Sequence, residues 1–135
     1  NLLNNYRERM ELFPQNTDTP DGKIPVIAEV DIEWLKQVEA IFEKNIKDSS
    51  FSIEKTSRAL HLSTRQFQRR LKRITGLSPK LYLQEMRLQK AKDYLLNGRY
   101  ATVKETAYAS GFQDVRYFSD LFQKHFAVVP SSIMR

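Results

Sequence analysis

Cysteine is absent from the 135 residues. No disulfide can staple the chain and no thiolate can hold a metal, which fits a reducing compartment. Long apolar runs are missing too. None approaches the ~18 residues that a membrane-spanning helix needs. Glycine is scarce, with four copies, each isolated. No glycine-rich loop is therefore available to cradle a phosphate. Histidine occurs twice, as His61 and His125, with no acid or nucleophile clustered beside either. A lone histidine on a helix is usually structural. The acid pair Glu39 and Glu43 lies on an acidic helix and reads as a solvated face. No catalytic residue, cofactor or metal is expected, and the chain does not read as an enzyme. Alternating apolar and polar runs, the mark of strands, are also absent.

What is present is enough for one domain. Hydrophobic residues make up 41%, sufficient for a packed core. The first residue is Asn and no charged-then-apolar leader follows it, so the chain reads as a piece of something longer with no targeting segment in view. The net charge of +6 conceals an asymmetry. Residues 1–50 carry net −4 and residues 51–135 net +10. Residues 63–92 hold nine basic side chains against a single acid, Glu85, whereas residues 93–135 carry only net +1. Such a basic segment suits a polyanion, either nucleic acid or a membrane surface, or it is simply a solvated surface. Pattern must decide between these.

The pattern is helical throughout. Residues 1–13 place Leu2, Leu3, Tyr6 and Met10 on one side of a short helix. Residues 14–30 hold three prolines and Gly22 among polar residues and read as a linker. A domain then begins near Asp31, the expected N-cap of a helix carrying Trp34, Leu35, Val38, Ile41, Phe42 and Ile46. Trp34 reads as its core anchor. Ser52 caps a helix through Leu60. Ser63 and Gln66 form a capping box for a helix ending at Gly76. Ser78-Pro79 opens a long helix to Leu96, stopped by Asn97-Gly98. Thr102 with Glu105 is a second capping box, for a helix ending at Gly111. Asp114 caps a helix to about Phe126, and Pro130 starts a last turn.

The domain repeats itself. Phe67, Leu71, Ile74 and Pro79 match Phe118, Phe122, His125 and Pro130 at an offset of 51. Ser57 and His61 match Ala107 and Gly111 at an offset of 50, so the second copy has one extra residue in its turn. Each copy is a short helix, a tight turn and a longer helix. That is the helix-turn-helix layout, whose second helix enters the major groove of DNA. In the first copy Phe67, Leu71 and Ile74 face inward, and Arg65, Gln68, Arg69 and Lys72 share an outer face. In the second, Phe118, Leu121, Phe122 and Phe126 face inward, with Arg116, Ser119, Asp120 and Gln123 outside. Arg can bond guanine bidentately and Gln can read adenine. The 18-residue helix between the copies is about 27 Å long. Its Leu81, Leu88, Ala91 and Leu95 offer a face to pack both units. Successive major-groove segments lie ~34 Å apart, so a rod of this length suits two of them, with some bending of the DNA.

These residues resemble the DNA-binding domain of the AraC/XylS family, from about Asp31 to Arg135. The carriers are Gly76-Leu77-Ser78-Pro79, Tyr82-Leu83, Arg87-Leu88 and Ala91 through Leu95-Leu96. The second half adds Ala107-Tyr108, Gly111-Phe112, Asp114, Tyr117-Phe118-Ser119, Phe122-Gln123-Lys124 and Pro130. The resemblance implies an all-α fold of about seven helices, with two helix-turn-helix subdomains (31–78 and 98–135) joined by a linker helix (79–97). It implies transcription regulation through an asymmetric double-stranded DNA operator. Three departures stand out. His61 occupies a turn where the family favours Gly, Asp120 replaces an outward basic residue, and Ala127-Val128-Val129-Pro130 replaces the family's Gly-x-Ser-Pro ending. Residues 1–13 look like the last helix of a receiver domain. The whole is similar to the output end of the hybrid two-component regulators of gut Bacteroidetes. Any histidine kinase activity would then lie in other parts of the parent protein.

Arg65, Gln68, Arg69, Arg116 and Ser119 are therefore expected to contact bases. Ser63, Lys72, Ser78, Thr102, Tyr117 and Lys124 are expected to contact phosphate. Asp120 is expected to orient Arg116, four residues before it. A homodimer through the parent protein and RNA polymerase are further candidate partners. The location is cytoplasmic, or the cytoplasmic part of a membrane-anchored sensor. The alternative function is a basic helical module that binds proteins or a membrane surface without reading DNA sequence.

Overall fold

The caps written into the sequence divide the chain where expected. The computed structural model describes residues 28–135. The helix expected over 1–13 and most of the linker at 14–30 lie outside the described residues. Seven α-helices and no strands occupy the described part: α1 (Glu29–Lys44), α2 (Ile53–Ala59), α3 (Thr64–Thr75), α4 (Pro79–Leu96), α5 (Val103–Ala109), α6 (Val115–Phe126) and α7 (Pro130–Ile133). None of them is long and apolar enough to cross a membrane.

Two cores form along one rod. Trp34, Leu35, Val38 and Phe42 of α1 pack with Phe67, Leu71 and Ile74 of α3 and with Tyr82 and Leu83 at the start of α4. Further along α4, Leu88, Ala91 and Leu95 join Ala107 of α5, Phe112, and Phe118 and Phe122 of α6. Burying each large side chain contributes about 1.5–3 kcal/mol, so each half has a substantial core of its own. The first core is roofed by α1. The second is closed by α7 with Ile133 and Met134, and the Arg135 amide donates to the Leu95 carbonyl at 3.1 Å.

Local chemistry explains most boundaries. Ser63 Oγ accepts from the Gln66 amide, and Gln66 Oε1 accepts from the Ser63 amide, completing the capping box. Ser52, Ser78, Thr102 and Asp114 each cap the helix expected of them. Gly76, at φ 78°, ends α3 in the left-handed conformation.

Three expectations are corrected, and a fourth observation concerns the departures from glycine. First, α1 starts at Glu29 with Ala28 at its N-cap, not at Asp31. Asp31 sits in the first turn, where the helix dipole favours an acid, and its carboxylate pairs with Arg73 and Arg70 of α3. Second, the box at Thr102 is half formed. Thr102 Oγ1 accepts from the Glu105 amide, but Glu105 reaches back to the Ala101 amide instead. Third, Leu81 belongs to neither core and is 48% exposed. At that level it lines an open groove with Leu77, Leu121, Lys124 and His125, which leave it half in solvent. Fourth, the departures from glycine leave both turns intact. His61 takes φ 57° and closes its turn with the hydrogen-bond pattern of Gly111: amides 61 and 62 donate to carbonyls 58 and 57, as 111 and 112 do to 108 and 107. Ala127 ends α6 at φ 62°, its amide donating to Gln123 as that of Gly76 does to Lys72.

The left-handed conformation costs a residue with a Cβ ~1–2 kcal/mol, partly offset by glycine's greater freedom when unfolded. Ala127→Gly should therefore raise stability by about 0.5–1 kcal/mol, read as a melting temperature a few degrees higher. An unchanged or lower melting temperature would show that the turn at Ala127 carries no strain.

Candidate nucleic-acid interface

The repeat seen in the sequence is a repeat in space. α2 and α5 each have seven residues, and α3 and α6 each have twelve. Between them lie four residues in the first copy and five in the second, the extra residue already implied by the change of offset. Each second helix buries an apolar stripe and shows a polar face outward.

On α3 that face is the expected one. Phe67, Leu71 and Ile74 are buried, and Arg65, Gln68, Arg69 and Lys72 are exposed. On α6, Phe118 and Phe122 are buried while Leu121 and Phe126 are partly so. Arg116, Asp120 and Gln123 are exposed and Ser119 is half-buried. No ion pair joins Arg116 to Asp120 among the described residues, so the expected orienting contact is not made. Lys124 is also displaced. At ~100° per residue it lies roughly 80° around the helix from Arg116. It lines a shallow groove with Leu77, Leu81 and Leu121 rather than joining the outer face. Gln123 is the true counterpart of Lys72.

The cap residues sit at helix starts with their oxygens engaged. Ser63, Ser78 and Thr102 accept from the amides of Gln66, Leu81 and Glu105 at 3.1, 3.3 and 3.0 Å. Ser63 and Thr102 are exposed and Ser78 is half-buried. Tyr117 is 53% exposed, and its hydroxyl accepts from Gln84 Nε2 of α4 at 3.1 Å.

The basic excess of residues 63–92 divides into two groups. Five of the nine cations serve the fold. Arg70 stacks on Trp34, its guanidinium carbon 4.4 Å from the ring centroid, and lies 3.9 Å from Asp31. Arg73 is bidentate to Asp31. Arg87 donates to two backbone carbonyls, Ile46 and Asp48. Lys90 pairs with Glu43, which holds its ammonium above the usual lysine range despite partial burial. Lys92 lies over the Phe126 ring. Arg65, Arg69, Lys72 and Lys80 remain exposed and make no ion pair with any described residue. Lys80 carries no expectation in the sequence reading. It stands at the second residue of α4, where the dipole disfavours a cation and no acid lies in the first turn to balance it. That imbalance was the available signal.

Among the described residues no group of His, Asp or Glu is placed to hold a metal ion. Tyr82, buried in the first core, donates to Glu39, and burial with that carboxylate pushes the phenol well above its ordinary range. It is a core hydrogen bond, remote from the outer faces.

Two helix-turn-helix units, mounted at the two ends of one shared helix, define a DNA-binding domain of the AraC type. Residues 56–135 match the family described as "Helix-turn-helix domain", and the chain belongs to that family. It is similar to the HTH-type transcriptional activator RhaS of Escherichia coli, with 44% identity over 72 residues, 53% of this chain. The chain spans about a quarter of the length of that curated relative, 26%. Among solved structures it is similar to the C-terminal domain of the two-component response regulator yesN from Fusobacterium nucleatum. There the TM-score is 0.68 at 29% identity, over 76% of this chain and 99% of that one. It is also similar to a probable AraC family transcriptional regulator from Rhodopseudomonas palustris, with TM-score 0.66 and 28% identity, over 75% and 94%. The fold is shared with the C-terminal domain of AraT, a response regulator from Geobacillus stearothermophilus. The TM-score there is 0.67 at 23% identity, over 81% and 86%.

The two groups of cations should separate by experiment. Arg70→Ala should lower stability by about 1 kcal/mol, through the lost stacking on Trp34, and leave the salt dependence of DNA binding unchanged. Lys72→Ala should leave the melting temperature unchanged and lower the slope of log K against log salt by about 0.9. Melting curves and salt titrations check both. A reduced slope for Arg70→Ala, or an unchanged one for Lys72→Ala, would contradict the division.

Proposed function

We propose that this chain is the output module of a two-component transcription regulator and reads an asymmetric double-stranded DNA site with α3 and α6. The observation that carries the proposal is the repeat in space: two like-sized reading helices, each polar outward, on a single rod. At about 27 Å the rod is shorter than one DNA turn, so the bound DNA bends toward the protein. Arg65, Gln68 and Arg69 take bases in one major-groove segment, and Arg116 and Ser119 take bases in the next. Arg65 and Arg69 suit guanine, and Gln68 suits adenine. Lys72, Tyr117, Lys80 and the helix starts at Ser63, Ser78 and Thr102 hold phosphates, where free amides and the dipole favour an anion. Lys124, turned toward the rod, is left out. The first unit supplies most of the electrostatic anchoring, since Arg116 is the sole cation on the outer face of α6.

The domain at 31–135, with its subdomains at 31–78 and 98–135 about the linker helix, acts by binding and performs no chemistry of its own. One of the similar structures is the C-terminal domain of a two-component response regulator, which supports residues 1–13 as the end of a receiver domain and 14–30 as the join. Phosphorylation upstream would then act by pairing parent chains into a homodimer on DNA, in the cytoplasm, beside RNA polymerase. The membrane-surface reading loses its support because α3 and α6 bury their apolar stripes.

Selection of bound sequences from random DNA with the purified chain tests this reading. The expected result is one asymmetric consensus with two separated blocks. Sequence-independent binding would overturn it. On the selected site, Arg69→Ala should cost ~1–3 kcal/mol and relax preference at one block only. Equal loss on every DNA would make Arg69 a phosphate contact.

A further inference from the structure

The two turns that precede the reading helices are closed by the same hydrogen bonds, yet one carries His61 and the other Gly111. The left-handed conformation therefore does not by itself demand glycine here, since His61 adopts it. Gly111 faces a second constraint. A Cβ at this position would lie 2.1 Å from the Ile46 carbonyl oxygen and 2.7 Å from Arg87 Nε. Ile46 belongs to the first subdomain and is buried in its core. The backbone of the second turn thus rests directly on the loop that follows α1.

Arg87, midway along the rod, ties this meeting point together. Its Nε donates to the Ile46 carbonyl at 3.2 Å and its Nη2 to the Asp48 carbonyl at 2.8 Å. The loop is itself stiffened. The Asp48 carboxylate accepts from the amide and the hydroxyl of Ser50, which hold it below the ordinary carboxylate range. Two rim bonds cross the same junction: Gln113 Nε2 to Ser49 Oγ at 2.9 Å, and Gln84 Nε2 to the Tyr117 hydroxyl at 3.1 Å. Three residues after Gly111, Asp114 caps α6. Whatever fixes Gly111 therefore fixes the start of the second reading helix relative to the first subdomain.

We propose that Arg87, clasping the loop at Ile46–Asp48 against the turn at Gly111, is a positioning residue that sets the spacing and rotation between the two reading helices and so selects the separation of the two half-sites on DNA. The apolar cores attach each subdomain to the rod. The polar clasp restrains the bend and twist that a lone connecting helix would allow. The inference rests on the DNA-reading role proposed above.

The test uses the whole chain on three duplexes: the selected site, the same site with one base pair inserted between the blocks, and the site with one block scrambled. One added base pair shifts a block by ~3.4 Å and turns it by roughly 35°. The parent chain should lose roughly tenfold on the insertion, comparable with a mismatched base pair. Arg87→Met, which keeps the aliphatic length and removes the donors, should lose less than about threefold on it and bind the scrambled duplex as the parent does. Gln113→Ala, at the exposed rim, should shift the insertion penalty in the same direction by a smaller factor. It decides the matter if the melting curve of Arg87→Met shows an unfolded protein. A uniform loss of affinity with the insertion penalty unchanged would mean that Arg87 only supports the fold, and would overturn the proposal. So would an unchanged penalty in Gln113→Ala when Arg87→Met does not fold. A parent chain indifferent to sequence would instead overturn the DNA-reading role itself.

Discussion

The apolar stripe of α4 is divided between two cores. Tyr82 and Leu83 are sunk among the aromatic side chains of α1 and α3, and Leu88, Ala91 and Leu95 pack with Ala107 of α5 and the phenylalanines of α6. This shared burial is what the rest depends on. It makes two small helix-turn-helix units, each too short to bury its stripe alone, into one body. It also converts the length of a single helix into the distance between two reading surfaces. A helix started by Ser78-Pro79 and stopped at Asn97-Gly98 has its length written in local chemistry. The length of the rod that separates the reading helices is accordingly a property of a few cap residues.

Charge has a less direct meaning than its sum suggests. The basic excess of the middle segment first reads as an electrostatic footprint for a polyanion. Much of it is internal carpentry: Arg70 and Arg73 dock α3 against Asp31 and Trp34, Lys90 docks the rod against α1, and Arg87 spans the junction. The exposed cations that remain are fewer: Arg65, Arg69 and Lys72 on α3 and Lys80 at the start of α4. The outer face of α6 has Arg116, Asp120 and little other charge, so on the proposed reading its contribution is recognition rather than attraction.

The helices, their caps and the repeat were legible because each is set within a few residues. Ser63 with Gln66, Ser78 with Pro79 and the stripe of Phe67, Leu71 and Ile74 need no distant partner to be read. What escaped involved contacts across the chain. Asp31 looked like a cap because its partners, Arg70 and Arg73, are some forty residues away. Leu81 continues the spacing of Leu88, yet it lines an open groove and joins neither core. Lys124 shares the expected phosphate role of Lys72, whereas its angle around the helix sets it apart. Gly111 looked like an ordinary turn glycine until His61, in the same conformation, showed that the close approach of Ile46 is the stricter requirement.

The central claim is that two reading helices, held on one rod, enter successive major-groove segments on a single side of the DNA. Methylation interference on the selected site, probing guanine N7 in the major groove, tests it most directly. The account predicts two clusters of interfering guanines with centres ~10–10.5 base pairs apart on one face of the duplex. Arg69→Ala should remove interference from one cluster and Arg116→Ala from the other. A single cluster, or two on opposite faces of the duplex, would contradict it.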